Sequence, residues 1–255
     1  MEFGFRETQT SYNSGSQNAR VWTEEWAAHW LYCPNCGNGQ LKRFTANLPV
    51  ADFFCGSCAD QYELKSKKGE FGAKIANGAY GKKIERLTSN TNPNFILLKY
   101  SFDRREVVSV CMIPKHFFTP DIVEARPPLG PHARRAGWIG SNIVISHIPE
   151  AGRIYLVREG ILTPKELVVS AWQRTRFLRD TDSNVRGWLL DVMKCLDQLG
   201  RSEFDIDDAY SFEAFLSQKY PNNRNVKPKI RQQLQYLRDR GYLEFTGRGR
   251  YRLNV

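Results

Sequence analysis

The sequence lacks a long apolar run. Its longest such stretch, Val107–Pro114, is far below the ~18 residues that a membrane helix requires. Met1–Thr8 carries Glu2, Arg6 and Glu7 where a secretory leader would be apolar. There is no internal repeat, no low-complexity tract and no phosphate-binding loop of the Gly-x-x-x-x-Gly-Lys type, so repeat architectures and that class of nucleotide site drop out. Acid is scarce: 27 Asp and Glu face 37 Lys and Arg, a net charge of +10 over 255 residues. Such an excess attracts polyanions, nucleic acid first among them. What remains is an ordinary globular composition, 41% apolar and 25% charged, with room for one large domain or two of average size. The expectation is a soluble cytoplasmic protein with no membrane partner.

The six cysteines sort by spacing. Cys33/Cys36 and Cys55/Cys58 are two Cys-x-x-Cys pairs separated by residues 37–54, while Cys111 and Cys195 stand alone among apolar neighbours. In a reducing compartment two such pairs form the two knuckles of a tetrahedral zinc site. Gly37 after the first pair and Gly56 inside the second suit backbone that turns inward toward thiolates. With four protein ligands no coordination position stays open, so this metal is structural. Cys111 and Cys195 read as small buried hydrophobes.

Charge divides the chain. Residues 1–180 carry 24 basic and 17 acidic side chains, residues 181–222 carry 4 and 8, and residues 223–255 carry 9 and 2. Arg174–Val185 reads as a hinge, with domains at 1–182 and 183–255. Beyond it, Trp188, Leu189, Val192, Cys195, Leu196 and Leu199 have helical spacing up to Gly200. A second helix begins after Asp205, with Ile206, Ala209, Tyr210 and Phe212–Leu216 as its apolar side. A third begins at Val226 or Lys227, tolerates Pro228 in its first turn, buries Ile230, Leu234 and Leu237, and stops at Gly241. Tyr242–Phe245 and Arg250–Leu253 alternate around Thr246–Gly249, a hairpin. Three helices and a basic hairpin make a winged helix-turn-helix. With Ile230 inward, Arg231, Gln232 and Gln235 face outward and suit guanine and adenine edges in the major groove. Lys227, Lys229, Arg248, Arg250 and Arg252 suit phosphates.

In the N-terminal part, Leu48–Phe54 and Gln61–Lys65 are strand candidates joined through the second cysteine pair, so zinc clamps the tip of a hairpin. The period of two sets Tyr62 and Leu64 on one face and Glu63 and Lys65 on the other. Asp52, ten residues, then Glu63-x-Lys65 gives two carboxylates converging across adjacent strands, a hard-oxygen site suited to Mg²⁺, with a lysine to orient water and offset phosphate charge. Asp52 among Val50, Ala51, Phe53 and Phe54 is costly unless paired or metal-bound. Pro49 lies three residues before Asp52, not beside it. Thr23–Trp26 is expected to open a helix from which Glu24 approaches the metals. A rival reading keeps the acidic hairpin structural and makes the chain a non-catalytic zinc and winged-helix transcription regulator.

Longer runs go further: Tyr32–Gly37, Pro49–Phe53, Glu63–Gly69, Asn92–Phe95, Arg134–Gly140 and Lys229–Gln235. On these the chain resembles the DpnI-type family of methyl-directed (type IIM) restriction endonucleases nearly end to end. The resemblance implies a mixed α+β PD-(D/E)xK nuclease core with inserted zinc, a C-terminal winged helix, and Mg²⁺-dependent cleavage by a type II site-specific deoxyribonuclease. It also implies the substrate, double-stranded GATC whose adenine is N6-methylated. Catalysis would fall to Asp52, Glu63 and Lys65, with Asp52 and Glu63 holding Mg²⁺, and the protein is expected to be a monomer. One methyl is worth ~0.8 kcal/mol of burial, or ~1–3 kcal/mol of discrimination in a shaped pocket, so two separate readers are expected. In the nuclease part the nominated reader is Trp138, flanked by Arg134 and Arg135 for phosphate and by Gly137 and Gly140 for close backbone approach.

Overall fold

The apolar and alternating segments before residue 160 become a mixed sheet. The computed structural model describes residues 1–5, 14–44, 51–89 and 91–254. The chain divides into two compact units, Met1–Ser146 with Ala151–Gln173, and His147–Glu150 with Arg174–Val255.

The first unit runs α1 (Gly15–Trp30), β1 (Lys42–Arg43), β2 (Phe53–Phe54), β3 (Gln61–Lys68), β4 (Lys74–Ala79), α2 (Tyr80–Thr88), β5 (Asn94–Ser101), β6 (Glu106–Ile113), β7 (Val123–Ala125), β8 (Gly140–Val144), β9 (Ile154–Arg158), β10 (Ile161–Leu162) and α3 (Lys165–Arg174). Its main sheet has the order β1-β2-β3-β5-β6-β9-β10. β3 and β5 are parallel, whereas the other neighbours are antiparallel. A parallel pair needs a crossover, and β4 with α2 supplies it. β4 is itself anchored in a second sheet of order β4-β8-β7. Val107–Pro114, the longest apolar stretch, is mostly β6, buried from Val107 to Ile113 between β5 and β9. A strand covered on both faces reads as a continuous hydrophobic run, and this one does. Trp26, Phe53, Tyr62, Ile96, Leu98, Met112, Leu156 and Trp172 share the core beneath it.

Three expectations change here. Thr23–Trp26 does not open a helix, because α1 starts at Gly15. Thr23 is fully buried mid-helix, and its hydroxyl donates to the Arg20 carbonyl at 3.1 Å, a local bond that replaces the cap. Of the strand candidate Leu48–Phe54, Phe53–Phe54 is strand, while Leu48, Pro49 and Val50 lie outside the described residues, as do Arg6, Glu7 and Thr8. β3 extends to Lys68 because β5 pairs with it residue by residue from Tyr62 onward.

The second unit contains α4 (Ser183–Gln198), β11 (Glu203–Asp205), α5 (Ile206–Tyr210), α6 (Glu213–Lys219), α7 (Val226–Asp239), β12 (Leu243–Gly247) and β13 (Arg250–Leu253). α7 starts at Val226, carries Pro228 in its first turn and buries Val226, Ile230, Leu234 and Leu237. The second helix is two, interrupted at Ser211 and Phe212, with Phe215 left half exposed. Asp205 caps α5 reciprocally with Asp208. β11 is a strand that local alternation did not reveal. It pairs with β13, giving a three-stranded sheet β11-β13-β12. The supposed hinge holds a short helical turn at Arg176–Asp180 with buried Leu178, and the Thr181 hydroxyl lies 3.0 Å from that of Tyr236.

Candidate active site, metal cluster and DNA-binding surfaces

Asp52 precedes β2 and is fixed by three bonds to its neighbours. Its N–H donates to the Tyr62 carbonyl at 2.9 Å, its carbonyl accepts from Phe44 at 3.0 Å, and its Oδ2 accepts from the Leu64 N–H at 2.7 Å. That last bond sets the carboxylate between Glu63 and Lys65 on the next strand. Lys65 Nζ lies 2.6 Å from Glu63 Oε1 and 3.4 Å from Asn77 Oδ1. Burial raises the Asp52 carboxyl pKa. The Leu64 N–H opposes this, and the charges of Glu63 and Glu24 add to the rise. Two carboxylates forced together, one of them partly buried, are the donor set a hard divalent cation neutralises, so these residues fit Mg²⁺.

All three side chains open into one cleft of about 850 Å³. Arg20 and Glu24 of α1 enter from one side, Asn77 of β4 and Lys82, Lys83 and Arg86 of α2 from the other. Glu24 lines the cleft from the middle of α1, ion-paired to Arg20 at 2.5 Å. Seven Lys and Arg against three acids line it, a wall suited to a polyanion.

The hairpin's other end holds sulfur. The Sγ atoms of Cys33, Cys36, Cys55 and Cys58 lie within 4.8 Å of one another, and among the described residues they are the one group of three or more ligands so placed. Cys33 and Cys58 are 3.5 Å apart, Cys36 and Cys55 3.6 Å. This cluster can hold a structural metal such as zinc. The knuckles match: the N–H four residues after each first cysteine, Gly37 or Ala59, bonds back to that cysteine's carbonyl at 2.8 and 3.0 Å. Both adopt positive φ, +70° at Gly37 and +60° at Ala59. Ala59, not Gly56, is therefore the left-handed residue of the second knuckle. Burial pushes the Cys33 thiol pKa up. At Cys55 burial acts the same way, but the N–H groups of Cys58 and Ser57 outweigh it and bring the pKa to about 7. Tyr62, fully buried, places its hydroxyl 3.1 Å from Cys33 Sγ and so links the cluster to β3.

Trp138 lies in the loop between β7 and β8, half-buried. Its ring covers Gly140 so closely that a Cβ there would sit 2.8 Å from it, and the Arg135 guanidinium stacks 4.6 Å from its centre. Arg134 and Arg135 are exposed beside it. In the second unit Arg231, Gln232 and Gln235 are exposed on α7, and Lys229 Nζ donates to Gln232 at 2.9 Å. Arg248 and Arg250 are exposed on the wing. Two expected phosphate contacts are already engaged. Arg252 pairs with Glu203 and Glu244 at 2.8 and 2.9 Å, because β11 and β12 flank β13 with acids in register. Lys227 lies 3.4 Å from Glu213.

A family model described as DpnI, Dam-replacing family, matches residues 1–181, more than half of the chain. The chain belongs to this family. A second model, Dam-replacing HTH domain, matches residues 184–253. Membership with that module behind it supports a methylation-dependent restriction enzyme that binds DNA. No helix among the described residues is long and apolar enough to cross a membrane. Sequence reasoning missed Asn77, Lys82, Lys83 and Arg86. A lysine and an arginine three apart on one short helix, Lys83 and Arg86, were the available signal.

Proposed function

We propose that the protein is a restriction endonuclease that hydrolyses double-stranded DNA at GATC sites carrying N6-methyladenine, with residues 1–182 cutting and 183–255 binding. The observation that carries this reading is the convergence of Asp52, Glu63 and Lys65 in a basic cleft, on a chain of the DpnI family. Asp52 and Glu63 would hold Mg²⁺, which when bound supplies Lewis-acid polarisation of the phosphate and a more acidic water. The four cysteines would hold zinc.

The chain's own groups divide the remaining work. Lys65 donates an N–H to the attacking water and orients it toward phosphorus, while Asn77 and Glu63 fix the Lys65 ammonium. The water oxygen forms a bond to phosphorus, one ester P–O bond breaks, and the proton lost by the water ends on the leaving oxygen, giving a phosphate monoester and an alcohol. Trp138, braced by Gly140 and Arg135, offers apolar surface to a methyl in the nuclease part, with Arg134 and Arg135 on phosphates. Arg231, Gln232 and Gln235 read base edges from α7, and Lys229, Arg248 and Arg250 hold the backbone.

The test is incubation of fully adenine-methylated and unmethylated plasmid with the protein and Mg²⁺. Fragmentation of the methylated plasmid alone is expected. Intact plasmid at every metal concentration would favour the transcription regulator.

A further inference from the structure

Most cations around the cleft are either paired or in water. Arg20 pairs with Glu24, Lys65 with Glu63 and Lys74 with Glu124, while Lys67 and Lys82 are exposed. Lys83 is different. It is 6% exposed, yet its ammonium makes no hydrogen bond or ion pair among the described residues. Two aromatic rings hold it, Phe95 at 4.7 Å and Phe118 at 5.2 Å from their centres. Phe95 also carries Lys65, 5.8 Å from the same ring centre.

Register says where this lysine faces. Phe95 on β5 is the parallel partner of Glu63 on β3, so both side chains leave the sheet on one face, and Lys65, two residues on, leaves it there too. Lys83 comes down onto that face from α2 and lines the cleft. Keeping a charge there is costly. Burial draws its pKa down, Glu63 pulls it back, Arg86 and Lys65 lower it again, and the balance lies at about 8. A buried cation with rings behind it, facing Glu63 across the cleft but bonded to no anion among the described residues, is suited to an anion that arrives with the ligand.

We propose that Lys83 is a catalytic residue whose ammonium takes a nonbridging oxygen of the scissile DNA phosphate, opposite Glu63 and Lys65. This rests on the nuclease reading above. As the water's oxygen bonds to phosphorus, negative charge grows on the nonbridging oxygens, and a preorganised ammonium in a low-dielectric wall stabilises it. Lys83 keeps its protons throughout, and no bond to it forms or breaks.

The experiment uses the full chain and a GATC duplex methylated on both strands. Single-turnover cleavage with Mg²⁺ and saturating protein is compared for wild type, Lys83→Met, Lys83→Gln and Lys83→Arg, with thermal melting of each. Met and Gln variants are expected to melt no lower than wild type and to cut ~10²-fold or more slowly, whereas Lys83→Arg keeps most of the rate. Binding with Ca²⁺ in place of Mg²⁺ is then measured on duplexes in which each GATC phosphate in turn is a neutral methylphosphonate. At the phosphate that wild type cuts, neutralisation should weaken wild-type binding several-fold and leave the Met and Gln variants nearly unchanged. A purely structural lysine would lose the same affinity on neutralisation with or without its charge. Wild-type cleavage with Met or Gln variants within about threefold of it, or equal methylphosphonate penalties in all, would overturn the proposal alone. If Lys83→Met does not fold, Lys83→Gln against Lys83→Arg decides by the same criteria. No cleavage by wild type would remove the nuclease reading, and this one with it.

Discussion

The β2–β3 hairpin carries candidate metal ligands at both ends, and the ends differ in kind. At its tip four sulfurs close on one another within 4.8 Å, braced by backbone N–H groups and by Tyr62. At its base Asp52 and Glu63 offer two oxygens to an open cleft. A closed soft cluster holds structure, whereas an open hard pair leaves coordination positions for water and phosphate. Asp52 is three residues from Cys55 and Glu63 five from Cys58, so on the proposed reading the holding end sets the geometry of the working end.

That contrast can be broken at either end. Cys33→Ser should cost more than ~5 kcal/mol, as much as many whole domains possess, since structural metal contributes folding free energy directly. Loss of the cooperative melt of the first unit and loss of cleavage together are expected. A folded, active, zinc-free variant would show the tip is not a holding site. Asp52→Ala and Lys65→Ala should keep the fold and methylated-DNA binding while cleavage drops at least ~10³-fold, because transition-state stabilisation alone is removed. Single-turnover rates beside a gel-shift titration measure both quantities.

Smaller effects sharpen the parallel contrast between the two proposed DNA-reading surfaces. Arg231→Ala should weaken binding by about tenfold or more and relax base preference, seen by titrating GATC duplexes with one altered base pair. Trp138→Ala should lower cleavage of methylated DNA by about tenfold with binding largely kept, as the loss of one apolar contact predicts. Unchanged cleavage would move methyl reading out of that loop. Smallest is Arg252→Ala. Its guanidinium is tied to Glu203 and Glu244 in water, so binding should change less than about twofold, in contrast to Arg250→Ala.

What the sequence revealed was local. Cysteine spacing, the Glu63-x-Lys65 alternation and the α7 pattern each lie within one or two elements, and short-range periodicity records them. The cleft is not local. Its Arg20 and Glu24, on α1, precede Asp52 by more than 25 residues, and its Asn77, Lys83 and Arg86 come from the crossover that a parallel β3–β5 pair requires. No pattern within either segment states that pairing. β11 was hidden for the same reason, being three residues that pair, among the described residues, with β13, 45 residues later. Thr23 misled because a hydroxyl can bond back to its own helix as readily as it caps one.

The most direct test of the account is the single-turnover cleavage rate of adenine-methylated plasmid by Asp52→Ala, purified with zinc in its cysteine cluster and Mg²⁺ supplied. If the sulfur end holds and the oxygen end works, the variant stays folded, keeps its zinc, binds the plasmid and does not cut it. Cleavage at the wild-type rate would contradict the assignment of the hairpin's open end as the catalytic centre.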